Sequence, residues 1–308
     1  MLKKPGHPEV WVDTDLIAPG FERVVDRDPP LDSIAQGLTF GEGPVWDKRT
    51  GLLYWVDIIG NTIWKWKPGV GREVVLRPSG HANGMTFDKE GRLTVAGWCS
   101  RTIYRFEHDG TITTIASKYQ DKKFNSPNDI VVRSDGSTYW TDSAGGLVIP
   151  GMVAQDVQRY LDMMGVFRLT PDGKEVQLVI ADCTYPNGLA FSPDEKILYV
   201  NDTRLALIRA FDVNPDGSVG PGRIFHKLTG TEDGVADGMK CDVEGNVYCT
   251  GPGGVHVIAP DGRLLGRLKI PGHCTNMGFG DDDWKSLYVT TFKQVYRTRV
   301  KVPGVAVW

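Results

Sequence analysis

Short apolar runs alternate with polar turns along nearly the whole chain, and the pattern repeats. "EGPVWDKRTGLLYWVD" begins at Glu42, "NGMTFDKEGRLTVAG" at Asn83 and "NDIVVRSDGSTYWTD" at Asn128. "NGLAFSPDEKILYVND" follows at Asn187, "DGMKCDVEGNVYCTG" at Asp237 and "NMGFGDDDWKSLYVTT" at Asn276. Each segment opens on an acid or amide, runs as a short apolar strand, turns at polar residues and returns as a second β-rich strand. Asp-Gly and its relatives between apolar runs favour hairpins, because the turn needs φ > 0.

A second hairpin follows within each unit. Its first strand reads "TIWKWKPG", "TIYRFEHDG", "GVFRLTPDG", "LIRAFDVNPDG" and "GVHVIAPDG"; its second reads "REVVLRPSG", "TITTIASK", "KEVQLVIAD", "GRIFHKL" and "GRLLGRLKI". A unit thus holds four antiparallel strands, A to D, and units begin about 40 to 60 residues apart, the spacing of propeller blades. Six units predict an all-β, six-bladed β-propeller, with residues 1–308 as a single domain.

The sixth unit ends at "QVYRTRVKVPGVAVW" without a clear fourth strand. "LDSIAQG", residues 31–37, stands before Glu42 as the other D strands stand before their Asn or Asp. It is expected to complete the last blade and remove the open sheet edge, leaving residues 1–30 as an N-terminal extension. The interval from 128 to 187 is the longest and holds an insertion at 143–164. Its "LVIPGMVAQDVQRYLDMMG" shows helical spacing near Val153, Val157, Tyr160 and Leu161. It follows a B strand, which places it over the channel mouth, as a lid or as a loop packed on its own blade.

Composition narrows the function classes. The 308 residues are 41% hydrophobic and 24% charged, as in a soluble globular protein. Net charge is −3 without a basic block, which argues against nucleic acid as a partner. No apolar h-region follows Lys3-Lys4, and no apolar run reaches the roughly 18 residues that span a membrane. Cys99, Cys183, Cys241, Cys249 and Cys274 form no CxxC pair and read as reduced thiols. These features lead us to expect a cytoplasmic protein, a monomer or weak homo-oligomer.

In a propeller, strand A is innermost and the D-to-A connection arrives at one face. Glu42, Asn83, Asn128, Asn187, Asp237 and Asn276 should therefore ring the channel mouth, each with a side-chain oxygen acceptor. One such Asn reads as a turn former. Six equivalent positions read differently, because Glu is a poor turn former and two acids near one axis repel. A cation resolves that conflict. Carboxylate, amide and water oxygens make a hard site, suited to one divalent ion: Ca²⁺ first, with Mn²⁺, Mg²⁺, Zn²⁺ or Fe²⁺ open. No Cys or His stands in the ring, which argues against the usual nitrogen–sulfur zinc site.

Around the ring, His81 in "SGHANG" is a candidate general base or hydroxyl-binding group, or simply a loop histidine; His273 is read as a loop residue. Asn83, Trp98, Arg101 and Tyr185 are candidate substrate contacts. Asp57, Asp142 and Asp202 end B strands and read as supports behind the ring or as blade-to-blade hydrogen-bond acceptors. Trp46, Trp55, Trp64 and Trp66 fall in strand patterns and read as blade packing.

"GEGPVWD", "NSPNDIVVRSDGSTYWTD", "YPNGLAFSPDEKILYV" and "VADGMKCDVEGNVY" resemble the senescence marker protein/gluconolactonase/luciferin-regenerating family, and within it the bacterial gluconolactonase branch. The resemblance runs over residues 31–298. It implies a six-bladed propeller with one divalent cation held by Glu42, Asn187 and Asp237, with Asn128 a further ligand or a substrate contact. It also implies a small-molecule substrate, a sugar lactone hydrolysed to its aldonic acid, with Asp237 as general base. Such chemistry is sound: a bound cation polarises the lactone carbonyl, and a nearby carboxylate takes the proton of attacking water. A metal-bound hydroxide is the competing nucleophile. After "YWTD" the chain has Ser143-Ala144-Gly145-Gly146, where many gluconolactonases resemble "DPPYG". Ser126 also stands where animal members place an arginine, so hydroxyl recognition is expected to differ. A related metal-dependent esterase or phosphotriesterase, and a non-catalytic ligand-binding propeller, are the competing functions.

Overall fold

A computed structural model describes residues 10–308. Six sheets are arranged as blades, each with four antiparallel strands paired in the order A-B-C-D. The A strands are Gly41–Asp47, Ala82–Phe87, Ser126–Val132, Pro186–Phe191, Met239–Cys241 and Cys274–Gly280. Each packs against the A strands of its two neighbours, so the ring is continuous.

Blade 6 closes as its missing strand implied. Pro30–Gln36 pairs with Gln294–Arg299, setting Ala35 opposite Val295 and Leu31 opposite Thr298. The extension does more than lead into that strand. Val10–Trp11 adds outside blade 6, and Asp13–Asp15 pairs with Leu264–Lys269 on the edge of blade 5. Asp15 then grips Arg267 through two parallel bonds of 2.8 and 2.6 Å, the geometry that makes arginine–carboxylate pairs strong. Residues 1–9, which include Lys3 and Lys4, lie outside the described residues.

Aromatic residues fill the spaces within and between blades. Trp55 and Trp140 are fully enclosed, and Trp46 of blade 1 stacks on Tyr288 of blade 6 at 5.7 Å. Trp64 and Trp66 pack, partly buried, on the same core. All five cysteines are free. No helix among the described residues is long and apolar enough to cross a membrane.

The aspartates ending three B strands are structural. Asp57 accepts the backbone N–H of Thr39 and Phe40, Asp142 those of Asn125 and Ser126, and Asp202 those of Thr184 and Tyr185. In each case these are the third and second residues before Glu42, Asn128 or Asn187. A buried N–H left unpaired costs about 1–3 kcal/mol, so each aspartate fixes the path by which the chain enters its ring position.

The insertion departs from expectation. Only Gly145–Val148 forms a helical turn, and residues 149–163 are irregular rather than helical near Val153–Leu161. Pro150-Gly151 interrupts the run, with Gly151 at φ 86°. Beyond it, Arg101 Nη1 donates to the carbonyls of Asp156 and Gln158, both at 2.9 Å. Those are carbonyls a helix would have needed for itself.

At the opposite end of the channel, residues 302–308 cross beneath the A strands. Val305 N–H donates to the Cys241 carbonyl, and the Trp308 indole donates to Val132 O at 3.2 Å. A cavity of about 420 Å³ lies there, lined by Val45, Phe279, Val305 and Val307 among others.

Candidate metal centre

The ring residues face the channel because their strands bulge. In blades 1 to 4 the register between strands A and B slips between Glu42 and Val45, Ala82 and Met85, Pro127 and Ile130, and Pro186 and Leu189. A bulge adds residues to one strand and re-aims the side chains at that point. Glu42, Asn83, Asn128 and Asn187 all sit in or at such a slip. The strands then crowd together, and glycine makes that possible. Gly43 has φ 54°, and a Cβ there would stand 2.3 Å from Asn83 O; at Gly41 it would stand 2.6 Å from Thr291 O. No side chain fits either place.

Glu42, Asn83, Asn128, Asn187 and Asp237 line one cavity of about 370 Å³. The sixth residue, Asn276, does not line it. Its Nδ2 donates to Glu42 Oε2 at 2.8 Å, and Gly43 N–H reaches the same oxygen at 2.6 Å. Asn276 therefore holds Glu42 rather than sharing its role. Asp237 is steadied from behind: Asn201 Nδ2 donates to its backbone carbonyl at 2.5 Å, and Gly188 N–H donates there at 3.0 Å. Asn187 Nδ2 lies 3.1 Å from Thr203 Oγ1.

Glu42 and Asp237 are almost wholly buried, so their charge is expensive. Burial pushes the Glu42 carboxyl up to about 7, and the nearby charge of Asp129 adds to that. Asp237 is raised as well, first by burial and then by the charge of Glu42. Burial also pushes Asp142 up to about 7. These groups hold protons in the folded chain that the unfolded chain releases from about 4.5 upward for Glu42 and about 3.8 upward for the two aspartates. The contribution of Glu42 and Asp142 to stability is thus present below those values and lost as pH rises through about 7, and Asp237 acts in the same direction. In cation-free protein, urea unfolding should give a lower free energy at pH 8 than at pH 5, and Ca²⁺ should remove the part that comes from Glu42 and Asp237. A cation-free stability that rises over this window would contradict the assignment.

The donor set fits a hard cation. Among the described residues no cluster of three or more His, Cys, Asp or Glu side chains could hold a metal alone, so amide oxygens would have to complete such a site. One is free to do so: the buried Oδ1 of Asn83 has no hydrogen-bond partner, a state that ordinarily costs about 1–3 kcal/mol. Two enclosed carboxylates and an unpaired amide oxygen facing one space are the arrangement that a Ca²⁺-type ion would relieve.

Residues 40–293 match the model of the SMP-30/Gluconolactonase/LRE-like region. The chain belongs to this family. It is 33% identical to the gluconolactonase of Zymomonas mobilis, over 93% of this chain and 86% of that protein. The solved gluconolactonase of Xanthomonas campestris superposes with a TM-score of 0.86 at 31% identity, covering 96% of this chain and 99% of the other. The 6-deoxy-6-sulfogluconolactonase of Pseudomonas putida is 27% identical, over 89% of this chain and 95% of its own.

Above the ring, this family member builds a mainly apolar wall. Trp98 and Tyr185 line the cavity as expected, together with Phe40, Phe292 and, from the insertion, Ile149 and Met152. Trp98 Nε1 donates to Met152 O at 3.0 Å, tying that wall to blade 2. Two expected contacts are not there. Arg101 is 3% exposed and turned away, its guanidinium bonded to Phe124, Asp156 and Gln158 carbonyls. It therefore organises the insertion instead of touching the cavity. His81 does not line the cavity either; its Nδ1 is 2.7 Å from Ile58 O, and its N–H is held by Asn61 Oδ1. His273 reaches the cavity, stacked on Phe292 at 4.3 Å and bonded to Asp233 at 2.9 Å.

Two charged residues in the channel escaped the sequence reading, Asp129 and Lys240. Asp129 follows Asn128 where Glu42, Asn83, Asn187 and Asp237 are followed by glycine. That break in the repeat was the available signal. Its side chain is buried, with Lys240 Nζ 3.4 Å from Oδ2.

Proposed function

We propose that the propeller hydrolyses a sugar lactone to its aldonic acid with a divalent cation, Ca²⁺ foremost, held by Glu42, Asn187 and Asp237, with Asn128 and the unpartnered Asn83 oxygen facing the same space. The lactonase class rests on the family and on relatives that open sugar lactones. The observation that carries the site is the meeting of two buried carboxylates and three amides on the floor of one cavity. When bound, the cation polarises the lactone carbonyl and steadies the oxyanion.

The chain's own groups supply the rest. Asp237 accepts a proton from the attacking water, through whichever carboxylate oxygen is not engaged by the ion. The C–O bond of the ring then breaks, and the released ring oxygen takes that proton to become a hydroxyl. Asn201 and Gly188 N–H keep Asp237 at one position, which matters because small displacements of a catalytic group cost large factors in rate. Trp98 and Tyr185 offer flat faces to the substrate ring.

A second reading has one observation in its favour. Val148, Ile149 and Met152 make part of the wall aliphatic, which suits an aryl or alkyl ester better than a fully hydroxylated sugar. Turnover of aldonolactones, aryl esters and phosphotriesters, compared as kcat/KM, decides between them. Aldonolactones are expected to lead. Phosphotriester or aryl-ester turnover far above every lactone would overturn the first reading.

A further inference from the structure

The channel below the ring holds charges that the hydrolytic chemistry does not use. Asp129 projects from strand A of blade 3 and Lys240 from strand A of blade 5. Lys240 Nζ lies 3.4 Å from Asp129 Oδ2 and donates to Met239 O at 3.0 Å. The Asp129 side chain is 2% exposed and that of Lys240 20%. Asp129 is also fixed at its other oxygen, which accepts Ile130 N–H at 2.9 Å. Asp129 Oδ1 packs against Gly84, where a Cβ would stand 2.8 Å from it, and Gly84 lies in turn against Gly43 beside Glu42; the charge of Asp129 raises both Glu42 and Asp237, so the three acids share one low-dielectric space. Lys240 is the one cation within it among the described residues. Arg204 lines the cavity above but is exposed at the rim, where water screens it.

Counted together, Glu42, Asp129 and Asp237 carry three negative charges when ionised and Lys240 returns one positive. Two remain, which a divalent ion neutralises and a trivalent ion overshoots. We propose that Lys240, acting through Asp129, is a positioning residue that matches the channel's charge to a divalent cation. The inference rests on the reading that the ring holds such a cation. Asp129 is no ligand in this proposal, because it does not line the cavity that Glu42, Asn187 and Asp237 share; its oxygens meet Lys240 and Ile130 N–H instead. A lysine side chain only 20% exposed costs desolvation, which the pairing with Asp129 offsets.

The test compares Ca²⁺ with Tb³⁺, whose luminescence can be excited through Trp98 in the same cavity. Affinities for both ions are measured on the full chain, and each variant is checked for a cooperative melt. K240M leaves the channel one charge more negative and should raise the Tb³⁺-to-Ca²⁺ affinity ratio about tenfold, for a unit charge acting across the channel at an effective dielectric of about 20. D129N should lower the ratio by a similar factor. The double variant should return close to the wild-type ratio, and K240R should keep it. If K240M does not fold, the fall in D129N carries the test. Ratios within about twofold of wild type in the folded single variants would overturn the inference while leaving the cation site standing. Wild-type protein that binds neither ion would overturn both.

Discussion

Asp237→Asn is expected to lower kcat/KM on the best lactone by about a thousandfold or more, in protein that still folds. General-base removal alone typically costs about 10²–10⁴, and this substitution also removes one of the two carboxylates from the ring. The fold should survive because Asp237 is positioned through its backbone. Asn201 and Gly188 both bond its carbonyl oxygen, and Thr250 Oγ1 accepts its N–H at 3.1 Å. None of these needs the carboxylate. Free of cation, the D237N variant should even gain stability above pH 7, because a buried carboxyl raised by burial and by Glu42 is gone. Wild-type turnover in this variant would remove Asp237 from the chemistry and leave a cation-activated hydroxide as the nucleophile.

Glu42→Gln separates binding from folding most sharply. The shape is kept, and the amide oxygen can still accept from Gly43 N–H. The charge is lost, so cation affinity should fall about a hundredfold or more, beyond what supporting residues around a metal usually contribute. Cation-free protein should behave in the opposite sense. Glu42 is fully enclosed with its carboxyl pushed up to about 7, so at pH 8 the variant should be more stable by on the order of 2 kcal/mol. Calorimetric titration with Ca²⁺, paired with urea unfolding in chelator, reads both quantities. Unchanged affinity with reduced stability would return Glu42 to being an ordinary strand residue.

The repeat made most of this architecture legible. Each blade is specified by local patterns: alternation for strands, Asp-Gly turns for hairpins, and an acid or amide opening every A strand. The closing strand at Pro30–Gln36 followed from counting strands. What remained hidden depends on direction across the channel, which a linear pattern does not encode. Asn276 occupies the same repeat position as its five counterparts, yet turns to hold Glu42. Arg101 was placed correctly near the mouth, but its guanidinium faces three backbone carbonyls of the entry and insertion segments. The same contacts override the helical spacing of Val153–Leu161. Asp129 and Lys240 come from different blades and meet only when the ring closes.

We propose that a divalent cation on Glu42, Asn187 and Asp237 enables lactone hydrolysis. Stripping the protein with chelator, then measuring turnover of several sugar lactones as single cations are added back, tests it most directly. Stripped protein should show no turnover above the spontaneous rate, with recovery on adding Ca²⁺ or a similar oxygen-preferring ion. Full activity in stripped protein, or none with any cation, would contradict it.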